Sequence, residues 1–256
     1  MPPVRHYHKP LDLKAAQMLL EREDEKNVLL SPGPKPPLDP FSGADAVVDV
    51  SGLDLAYIKP EASFIRIGAM TTLQAIAESL LVRGVADGVL AEAADLSAHL
   101  GLRNLATLEG AIASTDSTPE VRLALLALDV LPIMQDNVLT EVRLGTPPGL
   151  HAALARVART PRDAAIVAVC AAVIADGLGC RWANLAVACP EVQRMDAVAR
   201  LLSGQPFTPE KLDEVAGAAA AEAIVAGDYR GSVEYKREMV KVLSKRALME
   251  AWGKAK

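Results

Sequence analysis

Between Gly145 and Gly149 the chain breaks on two glycines and two prolines, Gly145-Thr146-Pro147-Pro148-Gly149, and the order of predicted elements differs on its two sides. Such a run continues neither a helix nor a central strand, so it reads as a domain boundary, with one domain over 1–146 and a second over 150–256. In the first, short apolar runs alternate with helical periodicity. Leu13, Ala16, Leu19 and Leu20 mark a helix within 11–23, while 28–30 and 46–50 read as short buried strands. Residues 57–59 and 64–67 read as strands about a turn at 60–63. Thr72 is placed to cap a helix to about Ser79, an Ala-rich helix is predicted over 88–100, and 101–112 reads as a loop with two glycines. Ser117-Thr118-Pro119-Glu120 opens a helix to about Leu128, with Glu120 as an acid at the helix start, and a strand follows over 138–144.

Beyond the break, strands are predicted over 152–157, 165–175 and 182–188, and three helices follow. The first covers 191–202, the second starts at Thr208-Pro209, and the third covers 232–252 with Met239, Val242, Leu243 and Ala247 on one side. Strands in series and then helices in series make an α+β unit. Hydrophobic residues are 51% of the chain and aromatics only 4%, so Ala, Leu and Val must fill the cores. A net charge of -5 argues against a nucleic-acid-binding face. No apolar run reaches the roughly 18 residues of a membrane span. The N-terminus lacks the apolar stretch of a secretory signal, so a soluble cytoplasmic protein is expected.

The polar residues offer few ready-made sites. Cys170, Cys180 and Cys189 form no Cys-x-x-Cys pair and read as buried free thiols, which leaves any redox metal to a partner. His6 and His8 would share a face of an extended strand, a spacing that suits a metal. With no third ligand nearby in sequence, they read as strand-edge residues. His99 and His151 are isolated and read as structural. Arg156, Arg159 and Arg162 form a basic cluster near the break, which reads as a solvated strand and turn, or else as a face for a partner or an anionic ligand.

Several segments together resemble one family. They are Tyr7-His8-Lys9-Pro10 before the first helix, Arg66-Ile67-Gly68-Ala69-Met70-Thr71-Thr72, Leu102-Arg103-Asn104-Leu105-Ala106-Thr107, the strand 138–144, Asp163-x-Ala165-x-Val167, and Arg230-Gly231-Ser232-x-Glu234-Tyr235-Lys236 with Arg246-Ala247-Leu248. The chain resembles, over nearly its whole length, the FAD-binding medium subunit of molybdenum hydroxylases of the carbon monoxide dehydrogenase and xanthine dehydrogenase type. The resemblance implies a shortened two-lobed FAD-binding domain of the p-cresol methylhydroxylase type, then a C-terminal domain of a three-stranded antiparallel sheet and helices. It also implies partners: a large molybdopterin subunit and a small iron–sulfur subunit, whose electrons the flavin passes to NAD or a quinone.

By the same resemblance, FAD contacts fall on Gly33, Lys35, Thr107, Gly110 and Asp163, and none is a metal ligand. Two glycine-rich loops of the family hold the pyrophosphate, because clustered amides and bare glycines let a phosphate approach closely. Here the first loop reads Ser31-Pro32-Gly33-Pro34-Lys35, within a stretch that also holds Pro36, Pro37 and Pro40, and its prolines carry no N–H. Lys35 offers a compensating charge. The second reads Thr107-Leu108-Glu109-Gly110-Ala111, where Glu109 would repel each phosphate charge by about 3 kcal/mol at ~5 Å and an effective dielectric near 20. Ala111 lacks the family's polar side chain, and Glu120 stands in place of an Asp. Only 130–137 joins the helix near Leu128 to the strand from Val138, where the family has further strands, and Ala188-Cys189-Pro190 replaces a Leu-Gly-Gly run. The expectation is a medium subunit that keeps its fold and docking surfaces with weak or lost FAD binding. A working flavin subunit with altered loops is the alternative.

Overall fold

The computed structural model describes residues 4–30, 32–34, 43–114, 119–135, 138–160, 163–177 and 179–255. The chain opens with β1 (His6–His8), α1 (Leu13–Leu20), β2 (Asn27–Leu29) and β3 (Ala46–Val48). These strands form a parallel sheet in the order β1-β3-β2. Asp12 starts α1 by accepting the Ala15 amide at 2.7 Å, and Ala16 packs the helix into a small core with Val48 and Val50.

The next segment contributes β4 (Ile58–Pro60), β5 (Phe64–Gly68), α2 (Leu73–Glu78), α3 (Leu80–Arg83), a 3₁₀ turn at Ala86–Gly88, α4 (Val89–Leu96), α5 (Leu100–Arg103), α6 (Leu108–Ala113), α7 (Glu120–Ala127), β6 (Leu131–Gln135) and β7 (Val138–Gly145). Its antiparallel sheet runs β4-β5-β7-β6, with the helices packed against it. Thr72 caps α2 by accepting from the Ala75 amide at 3.2 Å. Two expectations change here. The predicted loop 101–112 is mostly helical, as α5 and α6, and the predicted helix 88–100 ends at Leu96. His99 ends the gap by accepting the Leu102 amide at 3.4 Å, so a histidine caps α5 where Ser, Thr, Asp or Asn would be looked for. The short 130–137 segment is not a bare connection, since it supplies β6.

The last part is β8 (Leu150–Val157), β9 (Val167–Asp176), β10 (Gly179–Ala188), β11 (Val192–Arg194), α8 (Asp196–Leu202), β12 (Gln205–Pro206), α9 (Pro209–Glu222) and α10 (Val233–Lys254). The three long antiparallel strands are as expected, and β11 and β12 extend them to five. Within the predicted helix 191–202, residues 192–194 form β11 instead, and the helix starts only at Asp196. Thr208 and Ser232 cap α9 and α10. The buried face of α10 is Val240, Leu243, Ala247 and Ala251, whereas Val242, predicted on that face, is exposed.

β9 explains why small residues dominate this chain. Both of its faces are covered, and successive side chains point opposite ways. Val167, Val169, Ala171 and Val173 pack against α8–α10. Ala168, Cys170 and Ala172 pack with Leu90, Leu123 and other residues of the preceding helices. The regions on either side of Gly145–Gly149 therefore share a hydrophobic core. All three thiols are free and buried, and burial raises Cys180 to about 11, so it carries almost no thiolate near neutral pH.

α7 is pinned to this sheet at both ends. Its C-terminal carbonyls, Leu126 and Ala127, accept from the Asn184 side chain of β10 at 2.9 Å each. At its start Glu120 is 0% exposed, with the Arg156 guanidinium of β8 at 3.3 Å. Pro119 takes the cap position, so Glu120 belongs to a buried ion pair and not to a helix cap, and Arg156 leaves the predicted solvated cluster. Removing one member of a buried pair strands the other without solvent. Arg156→Ala is expected to lower unfolding free energy by about 3 kcal/mol in urea melts, with much of the loss recovered when Glu120→Gln is added.

Candidate functional site between the glycine segments

The two segments predicted to hold a pyrophosphate are brought together, and they hold each other. The Thr107 amide donates to the Pro32 carbonyl at 2.8 Å, and the Thr107 hydroxyl lies 3.4 Å from the same oxygen. A Cβ at Gly110 would overlap the Pro32 carbonyl and come 2.8 Å from the Gly33 nitrogen, while one at Gly33 would come 2.9 Å from the Gly110 oxygen. Both glycines are therefore used for the close approach of backbone to backbone.

An anion site needs donors with nothing else to do, so the amides at the start of α6 must be counted. Leu108 donates to the Thr71 carbonyl and Glu109 to the Ala69 carbonyl, each at 2.9 Å. Gly110 donates to the Thr107 hydroxyl at 3.1 Å, and Ala111 to the Thr107 carbonyl at 2.9 Å. Each of these amides is spent within the chain. Across the way, Pro32 and Pro34 have no N–H, which leaves Gly33 as the single amide of the described 32–34 segment.

The 66–72 segment sets this arrangement. Gly68 lies so close to Leu55 that a side chain would overlap the Leu55 carbonyl, and this brings 69–71 under α6. The Thr71 hydroxyl donates to the Tyr57 carbonyl at 2.9 Å and accepts the Tyr57 amide at 3.0 Å. Ala69 and Thr71 then present their carbonyls to α6. Among the residues that shape the site, these carbonyls and that of Pro32 were missed in the sequence reading, because backbone acceptors leave no mark on residue type.

Glu109, the second residue of α6, carries a carboxyl. Its Oε2 is buried and makes no hydrogen bond, and desolvation raises its pKa from the ordinary value of 4.5. No cation among the described residues pairs with it. Lys35, the predicted compensating charge, lies outside the described residues. Asp163 stands apart in the β8–β9 connection, exposed, with its backbone carbonyl accepting from Arg156 and its amide donating to Thr160 at 3.2 Å. No hydrogen bond among the described residues joins it to the glycine segments. Of the other arginines, Arg159 lies over the Tyr229 ring at 5.6 Å and Arg162 is outside the described residues. Among the described residues, then, the amides of 108–111 are engaged within the chain, Pro32 and Pro34 supply none, and Glu109 brings a buried carboxyl.

Residues 3–144 match the family described as the FAD binding domain in molybdopterin dehydrogenase, and residues 152–251 match the CO dehydrogenase flavoprotein C-terminal domain. The carbon monoxide dehydrogenase medium chain of Hydrogenophaga pseudoflava is 29% identical over 288 residues, covering 99% of each chain. The nicotine 6-hydroxylase medium subunit of Paenarthrobacter nicotinovorans is 24% identical, covering 97% of this chain and 98% of that one. Among solved structures, carbon monoxide dehydrogenase from Hydrogenophaga pseudoflava lacking the Mo-pyranopterin moiety of its cofactor superposes with a TM-score of 0.86 at 28% identity, over 99% of both chains. The first of these alignments is longer than the present chain, so parts of that relative have no counterpart here.

A carboxyl raised by burial is more protonated in the folded chain than in the unfolded one. Between 4.5 and the raised value, stability therefore falls as pH rises. Glu109→Gln is expected to raise the melting temperature at pH 7, with the gain shrinking as the pH falls toward 4.5. A melt series across that range checks both the sign and the trend.

Proposed function

The chain belongs to the family of the FAD binding domain in molybdopterin dehydrogenase, and we propose that it serves as the medium subunit of a molybdenum hydroxylase-like oxidoreductase complex in which its own hold on FAD is weak or lost. The observation that carries this reading is the donor count. Four successive amides from Leu108 to Ala111 are engaged within the chain, opposite two prolines. Glu109 would bring charge repulsion as well, or would have to take up a proton.

The subunit is then a scaffold, with a domain over 1–146 and a docking domain over 150–256. Its partners are a molybdopterin-binding large subunit and an iron–sulfur small subunit, as the medium-chain relatives suggest, and these carry the metal cofactors. Electrons leave the complex through another protein, and the complex is cytoplasmic. No helix among the described residues is long and apolar enough to cross a membrane.

End-to-end coverage of both relatives favours a second reading, an active FAD subunit that passes electrons from a partner's clusters to NAD or a quinone. Flavin content separates the two. The purified chain, and the complex isolated with it, are expected to emerge from gel filtration without a flavin absorption band. Stoichiometric FAD that survives the column overturns the scaffold reading and leaves the active subunit.

A further inference from the structure

A different feature lies at the other end of the first sheet. His6 and His8 are two residues apart on the edge strand β1, so their rings leave the same face. The third member comes from the turn between α1 and β2, where the Glu25 side chain is only 9% exposed. His6 Nδ1 contacts Glu25 Oε1, and His8 Nε2 lies 3.8 Å from Glu25 Oε2. That second gap is too long for a hydrogen bond. His8 Nε2 and Glu25 Oε2 are both buried, and neither has a hydrogen-bond partner among the described residues.

We infer that His6, His8 and Glu25 form a three-ligand site for one zinc ion, which clasps the edge strand β1 to the α1–β2 turn. One ligand atom from each of the three residues lies within 4.8 Å of the others. Ligands at ~2.0–2.1 Å on a tetrahedral zinc sit ~3.3 Å apart, so small side-chain rotations close the set. Two imidazoles and one carboxylate suit zinc and not calcium or magnesium, which take oxygen ligands. The fourth position falls to water, because the His6 side chain is 59% exposed.

Arg22 is the nearest opposing charge, with Nη1 3.2 Å from Glu25 Oε2. It is also forked onto Asp24, at 3.1 Å through Nε and 2.7 Å through Nη2, and this second carboxylate offsets it. With neutral imidazoles the cluster of His6, His8, Arg22, Asp24 and Glu25 carries one net negative charge, which favours a divalent cation. Glu25 lies seventeen residues beyond His8, so local spacing shows only the histidine pair.

The test is calorimetric titration of the chelator-treated full-length chain with zinc, repeated for His6→Ala and Glu25→Gln. His6 is an exposed strand-edge residue, so its variant is expected to keep the wild-type circular dichroism spectrum. One equivalent of zinc should bind, and each variant should weaken it at least tenfold (about the least that losing a ligand costs). Cobalt substituted for zinc should show visible d–d bands without a thiolate charge-transfer band, which separates this site from the three cysteines. Absence of binding by the wild-type chain, unchanged affinity in both variants, or a thiolate band would each overturn the assignment.

Discussion

Thr107 donates its amide to the carbonyl of Pro32, and that bond seats one glycine segment directly on the other. Gly33 and Gly110 can be nothing larger, because each would otherwise drive a Cβ into the opposing backbone. The approach also fixes how α6 starts: Thr107 caps it, and carbonyls from 69–71 take its next two free amides. A glycine-rich turn binds phosphate only when its amides point at open space. Here the same backbone features serve cohesion.

The rest of the molecule shows why cohesion is retained. β9 lies between two layers of helices: Ala168, Cys170 and Ala172 let α4 and α7 come close to the sheet on one face, while Ala171 and the valines meet α8–α10 on the other. α7 is fastened at its end by Asn184 and at its start by the buried Glu120–Arg156 pair. At the far side, Lys236 is fully buried and bonds Asp228 and the Ala226 carbonyl at 2.9 Å each, while Arg230 reaches the Ala165 carbonyl at 3.1 Å. The charged residues of 228–236 thus tie the start of α10 to the strand region.

Much of this was legible in the sequence where a local rule decides the outcome. Thr72, Thr208 and Ser232 sit before apolar periodicity and cap helices, and the three long strands of the last sheet follow from continuous apolar runs. The failures have physical causes. Gly101 and Gly110 suggested a loop, yet Thr107 caps a short helix whose glycine is demanded by a neighbour seventy-seven residues away from it in Gly33. Residues 192–194 fall within the predicted helix 191–202, whereas pairing with β10 makes them a strand. Glu120 looked like an ordinary first-turn acid, since a partner on β8 cannot be seen from local spacing. For the candidate site, residue type revealed the missing proline amides, but not that the remaining α6 amides are already engaged.

Amide hydrogen exchange over residues 107–111, with and without millimolar FAD or ADP, reads the engagement of those donors most directly. If the amides are held by Pro32, Ala69, Thr71 and Thr107, the segment is protected in the free chain and its exchange does not change with either ligand. Fast exchange in the free chain that slows sharply and locally on adding FAD would mean that these donors await a phosphate, and would contradict the account.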